Sequence, residues 1–342
     1  MTVGYGQAAA ISRIAMVATD VVHGEQGISD IAAPLRELAE FDAMMISSKD
    51  PFTGAHKPVL NIGYNPSLLA FLNQEYLRCP SYRTAAQHRR PMRMRDFGDD
   101  FFRTRVYEEY LNPIGYQEGV TLVLRAPDSR ITGLLTMSFA NPRDIDEDAR
   151  VGVELVSAAL GRLSDFHARP RQLASGIDSG ASSYLVDRNG SVICLRAVDQ
   201  SGGDGPFPEC IVAACAVLES SAGFGHQVCG VATLEQTNRW QRARILVTDV
   251  AGHRHALILI CETESPLGLT LREVDVTTLV AVGLSNKEIG ERLHVSPRTV
   301  STHVEHILGK VGITNRTALA SLAVREGILR LSLLYNHPRG YG

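Results

Sequence analysis

The sequence predicts a multidomain α+β protein: an α/β sandwich, then a small antiparallel-sheet domain, then an all-α four-helix unit. The chain of 342 residues has room for two or three domains at roughly 100–200 residues each. Two seams poor in large apolar residues divide it, one at 169–183 with Pro170, Gly176 and Gly180, the other at 262–270 with Pro266 and Gly268. The patterning changes across them, from mixed helical and alternating runs, to alternating runs around one helix, to helical spacing alone. The expected boundaries are 1–168, a linker at 169–182, 183–264, 265–330 and a tail at 331–342.

In the first domain, 11–22 and 29–40 read as helices, the second with Ser29 as N-cap. Strands are expected at 42–47 and, after the Thr53-Gly54 turn, at 58–62. Residues 67–77 show helical spacing through Leu68, Leu72 and Tyr76. The β-rich runs 119–125 and 131–139 flank Pro127-Asp128-Ser129, a hairpin signal. A long helix over 144–167 closes the domain, giving helices on an antiparallel sheet. Val153, Val156, Leu160 and Leu163 recur on it at 3-4-3 spacing. That is the pattern of a two-helix dimerisation seam, and equally of a helix lying on its own sheet.

The second domain opens with a hairpin over 183–196, turning at Asp187-Arg188-Asn189-Gly190. A helix at 208–218 follows, then strands at 227–234, 240–248 and 255–262, with Gly252 between the last two.

Composition excludes several classes. Apolar residues at 44% and charged residues at 21% are those of a folded chain rather than a disordered one. No apolar run nears the roughly 20 residues that span a bilayer, and the N-terminus lacks a signal-peptide pattern, so a cytoplasmic protein away from membranes is expected. The six cysteines form no C-x-x-C pair and read as reduced thiols. No P-loop, H-E-x-x-H, G-x-S-x-G or dinucleotide fingerprint is present, so an enzyme reading has no support and no catalytic residue is assigned. His253 with His255, and His303 with His306, lack further ligands, and no metal is expected. Residues 266–342 carry 9 basic and 6 acidic side chains, net +3, against 25 and 31, net −6, in the remainder. The C-terminal end is the one expected to meet a polyanion.

That end carries the function. Thr270 and Glu273 make a capping box ahead of Val276, Leu279 and Val280, and Gly283 ends the helix. Ser285 and Glu288 make a second box, with Ile289 and Leu293 inward. Ser296-Pro297 starts a third helix reaching about Gly309, with Val300, Val304, Ile307 and Leu308 inward. Asn315 caps a fourth, through about Val324. Four helices in about 60 residues, with a tight turn between the second and third, describe a helix-turn-helix.

The string GLSNKEIGERLHVSPRTVSTHVEHILGKVGITNRTAL resembles the DNA-binding domain of the LuxR/NarL family of bacterial transcription regulators, nearly gap-free over 269–329. With Val300 and Val304 inward, Ser301, Thr302 and Glu305 point outward, and the resemblance matches these three to base-reading positions. Relatives often carry a basic residue at Ser301 or Glu305. Glu305 either accepts from a cytosine amine or is merely exposed near phosphates. Lys287, Arg298, Thr299 and Lys310 are placed to meet phosphate oxygens. The resemblance pairs Glu273 with Arg316 across the first and last helices, and Leu319 and Leu322 of the last helix would make dimer contacts. Gly290 stands where relatives have alanine, at a helix cost of about 1 kcal/mol.

The first domain is similar to a GAF domain, on its strand order and on EYLNPIGYQEGVTLVL and ITGLLTMSF; the second is similar to a degenerate PAS module. Such sheets cradle small molecules. Tyr82, Met92, Phe97, Phe101, Phe102, Tyr107, Tyr110 and Tyr116 are candidate pocket residues or, on the other reading, plain core. Arg89, Arg90, Arg93 and Arg95 either bind an anion or form a solvated face. The resemblance implies a one-component, effector-responsive regulator, an activator by family habit, binding double-stranded DNA as a homodimer, with RNA polymerase as a further partner. No particular cofactor is indicated beyond a small-molecule effector in the GAF-like domain. The alternative is a sensory protein acting through protein contacts, its helix-turn-helix vestigial.

Overall fold

The computed structural model describes residues 5–23, 28–198, 205–220, 227–234, 239–250 and 253–335. They fall into two compact units, 1–169 and 170–342. No helix among the described residues is long and apolar enough to cross a membrane.

The first unit contains α1 (Tyr5–His23), α2 (Ala32–Leu38), β1 (Ala43–Lys49), β2 (His56–Ile62), α3 (Pro66–Gln74), α4 (Pro80–His88), β3 (Met92–Arg93), β4 (Glu118–Arg125), β5 (Ile131–Phe139), α5 (Glu147–Leu155) and α6 (Ser157–Leu163). The sheet runs β2-β1-β5-β4-β3, and every pair is antiparallel. One face carries α1, α2, α5 and α6 over a core of Ile14, Leu35, Ile46, Leu122, Leu135 and Phe139. The other face is covered by α3, α4 and short turns over 94–114, around Met45, Leu68, Phe71 and Leu134. This is the sandwich the patterning predicts.

Two helix expectations need correction. Ser29 lies inside a short 3-10 turn, Ile28–Ile31, and caps nothing; α2 starts after it without a side-chain cap. The long closing helix is two helices broken at Val156, where ψ is −1°. Val153, Val156 and Leu160 are all at most 2% exposed within their own domain's core, and Leu163 packs half-buried against it. A stripe already buried on its own sheet offers nothing to a partner, so the dimerisation seam is withdrawn.

In the second unit, α7 (Ala168–Ile177) runs through the residues expected as a linker. Pro170 did not break it because it sits in the first turn, where no backbone N–H is needed. Strands β6 (Ser182–Val186) and β7 (Val192–Arg196), helix α8 (Pro208–Glu219), and strands β8 (Gln227–Leu234), β9 (Arg239–Val250) and β10 (His253–Thr263) follow. Their antiparallel sheet has the order β7-β6-β10-β9-β8. Asp187 accepts from the backbone N–H groups of Asn189 and Ser191 at 2.9 and 2.8 Å, closing the expected hairpin turn. Gly252 lies outside the described residues. Helix α8 buries Cys210, Ala213, Ala214 and Val217 against one face of the sheet.

The remaining helices are α9 (Leu271–Ala281), α10 (Asn286–Leu293), α11 (Pro297–Val311), α12 (Arg316–Glu326) and a short turn, α13 (Leu331–Leu334). All four expected caps are made: Thr270 and Ser285 in full capping boxes, Ser296 accepting from Thr299, and Asn315 accepting from Ala318. Gly327 ends α12 in the left-handed region, φ 64°. The chain beyond it returns to the middle sheet, and the expected tail, 331–342, starts as the packed turn α13. The Val231 backbone N–H of β8 donates to the Leu329 carbonyl at 2.8 Å, Val231 bridges Arg330 in parallel, and Leu331 is fully buried beside α8. Residues 336–342 of the expected tail lie outside the described ones.

Candidate nucleic-acid interface

Helix α11 is positioned by its inner face. Val300, Val304 and Ile307 are buried against Val274, Leu279 and Ile289. Those anchors leave Arg298, Thr299, Thr302, Glu305, His306, Gly309 and Lys310 exposed, with Ser301 half-buried at the margin. The tight turn from α10 is closed by His294 in the left-handed region, φ 57°, and by the Val295 N–H donating to the Gly290 carbonyl at 2.9 Å. Gly290 is explained here: a Cβ would lie 2.7 Å from the Val295 carbonyl oxygen. The helix cost of glycine is accepted because the turn passes too close for alanine without a shift.

Thr302 and Glu305 stand fully outward, as expected; the Thr302 hydroxyl rests on the Arg298 carbonyl at 3.2 Å. No ion pair holds Lys287 or Arg298 among the described residues, so both cations are available at the starts of α10 and α11. The exposed N–H groups there add partial positive charge. The Thr299 hydroxyl is engaged with Ser296 at 2.8 Å. Lys310 is 2.8 Å from Glu273, not free. The expected Glu273–Arg316 pair is not made. Arg316 donates instead to the Asn286 side chain at 2.9 Å and to the Leu284 carbonyl, fastening the start of α10. Leu319 is 1% exposed in the core, so it is no surface contact, whereas Leu322 is half-buried. His306, weighed only as a metal ligand from sequence, shares the outward stripe. The same helical spacing that exposed Thr302 would have found it.

A cavity in the first unit lies between the sheet and the turns over 94–114. Met92, Phe97 and Phe101 line it among the expected residues, together with Tyr64, Tyr76, Met94, Thr121, Thr136 and Ser138. Tyr116 is buried edge-on to Tyr64. Tyr82, Phe102, Tyr107 and Tyr110 pack outside the cavity; Tyr110 stacks on Phe71 at 4.1 Å. The sheet's hydroxyls, which sequence reading missed, form its polar side: Tyr64 meets Ser138 and Tyr76 meets Thr121, each at 2.9 Å. The space is about 30 Å³ by where a water's centre can sit, enough for a water or two. Of the arginine run, Arg93 is paired with Asp96 and Glu147, and Arg95 with buried Glu118 at 2.9 Å. Arg89 and Arg90 are exposed, and no carboxylate pairs with either among the described residues. Burial, then the Glu75 carboxylate, pushes the Cys79 thiol up, which disfavours its thiolate.

Residues 267–323 match the model of the bacterial regulatory proteins, luxR family. The C-terminal helices are a luxR-family domain. Over 59 residues it is 52% identical to a helix-turn-helix-type transcriptional regulator of Mycobacterium bovis, covering 17% of this chain and 7% of that protein. The transcriptional regulatory protein LnrK of Bacillus subtilis is 30% identical over 161 residues, 46% of this chain and 58% of its own length. The chain thus spans less than two thirds of either relative. Among solved structures, the GAF domain of an Acinetobacter phosphoenolpyruvate-protein phosphotransferase aligns at TM-score 0.35 and 15% identity, over 47% of this chain and 93% of that one. SdiA in complex with octanoyl-rac-glycerol aligns at TM-score 0.32 and 16% identity, over 95% of both chains. Both structural likenesses are weak, and the sandwich rests on its own strand order. In the luxR-family domain, the capped starts of α10 and α11 and the outward stripe of α11 leave Lys287, Arg298, Thr302 and Glu305 exposed.

Proposed function

We propose that the protein is a one-component transcription regulator that binds specific double-stranded DNA as a dimer through α11 and responds to a small effector held by its first unit. The observation that carries this reading is the division of labour on α11. Val300, Val304, Ile307 and the caps are used inside the domain, while Thr302 and Glu305 are left outward and Lys287 and Arg298 are held by no ion pair among the described residues. Short hydrogen-bonding side chains suit base edges, and cations at helix starts suit phosphates. One such unit makes few phosphate contacts, so two half-sites are expected, with Leu322 and exposed Val324 of α12 as the apolar groups able to join two copies. The cavity lining contains no carboxylate, lysine, arginine or histidine, which favours an uncharged effector with one hydrogen-bonding group. Activation is the expected output.

Selection of duplexes from a randomised library by the full chain tests this reading. Recovery of a two-fold symmetric consensus is the expected result. Uniform retention of all sequences contradicts it.

A further inference from the structure

The second unit contains two hydrophobic cores that exchange side chains. Val231 of β8 and Trp240 of β9 are buried among the luxR-type helices, beside Leu279 and Ile328. In the other direction Leu331, beyond α12, is buried among the α8 side chains under the middle sheet. The crossing is tight. A Cβ at Gly230 would lie 2.4 Å from Leu331 Cδ2 and 2.6 Å from the Leu329 carbonyl oxygen; one at Gly327 would lie 3.1 Å from Cys229 Cβ.

Arg330 stands at the crossing, 8% exposed. Its guanidinium meets Asp275 of α9 at 2.7 Å and lies 3.8 Å from Glu209 of α8. Its backbone N–H donates to the Thr278 hydroxyl of α9 at 2.9 Å. A buried cation between two acids adds little net stability over an apolar filling, but separating it from them is costly. The arrangement therefore ties α8, α9 and the C-terminal arm together at one side chain.

We propose that the arm from Gly327 to Tyr335 is a latch, with Arg330 as its pin, that makes the middle sheet and the DNA-binding helices one cooperative element. A shift in α8 or β8 then reaches α9 directly, through the Arg330 contacts, and not through a flexible connection. The middle domain acts as the mount of the DNA-binding helices. This inference rests on the packing of the second unit and does not depend on which DNA or effector is bound.

Hydrogen exchange on the full chain tests it with reciprocal variants. Leu331→Ala loosens the latch from the arm; Gly230→Ala obstructs it from the sheet. Each is expected to raise exchange by about tenfold or more on both sides, in the β8 and β9 amides and in those of α9. Arg330→Met is expected to do the same. If a variant loses protection across 170–335 while 1–169 stays native, that is the same coupling carried to its end. Faster exchange confined to the side that carries the substitution, in either reciprocal variant, overturns the proposal.

Discussion

Glu305 is the side chain whose chemistry separates the two readings left open by the sequence. On the exposed stripe of α11 it is an acceptor with no cation beside it among the described ion pairs. If it takes a base amine, Glu305→Ala lowers discrimination at one base pair by about 1–3 kcal/mol while raising affinity for random DNA, since a charge that repels phosphates is gone. Competition binding of selected and random duplexes checks this; parallel changes in both affinities contradict base reading. Lys287→Ala should instead weaken every duplex similarly and lower the slope of log affinity against log salt by about 1. His56 makes a separate prediction for the first unit. It is buried with Nδ1 3.0 Å from the Ser47 hydroxyl. Burial first, then Lys49, lowers its pKa from 6.5 to about 4. A histidine lowered on folding contributes stability that is complete above the unfolded value and lost as pH falls toward the folded one. The first unit should therefore lose stability between about pH 6.5 and 4, by roughly 3 kcal/mol at most. Urea melts of the full chain at several pH values should show a flatter decline for His56→Gln; equal declines contradict the assignment.

At the scale of elements, what was legible depended on whether the signal is local. The helices α9 to α12 were readable because each start is fixed by a cap within three residues of it, and all four caps form. The dimerisation seam was not, since Val153, Val156 and Leu160 show the same spacing whether they face a partner or their own sheet. Helix α7 was missed because Pro170 was counted as a breaker without regard to its place in the first turn. Gly290 looked like a flaw until the turn over it was seen. The partner of Glu273 is also different from the expected one: Lys310, in the last turn of α11, reaches it and Arg316 does not. Burial works against the ionised Glu273, yet Lys310 and the Thr270 contacts outweigh it and hold the carboxyl below its ordinary 4.5. A depressed carboxyl contributes above its unfolded value and loses that contribution as pH falls through the folded one. The luxR-type helices should therefore lose part of their stability as pH falls below about 4.5, and Glu273→Gln should weaken that acid dependence in urea melts followed by circular dichroism. An unchanged dependence rules out Glu273 as its source.

For the whole molecule, the expected order of sandwich, small sheet and four-helix unit is present, but the second and third share one compact unit. The contacts that join them, Val231 with Leu329 and Arg330 with Glu209, link residues about 100 positions or more apart. Periodicity and capping report only neighbours along the chain, so such contacts leave no local signal, and the residues from Leu331 read as a tail. The cavity shows the same limit. Aromatic content drew attention to 82–116, whereas the hydroxyls of Thr121, Thr136 and Ser138 became visible only when the sheet brought them together. If the uncharged lining sets the ligand class, the smallest neutral alcohols, such as methanol, should raise the melting temperature of the first unit, and formate, of similar size, should not. Stabilisation by formate instead would contradict that class. Sequence-specific DNA binding through α10 and α11 is tested most directly by salt titration of the full chain and of Lys287→Ala on a duplex selected by the wild type. A slope lower by about 1 with consensus preference retained is the predicted result. An unchanged slope and affinity would mean that this surface does not meet DNA.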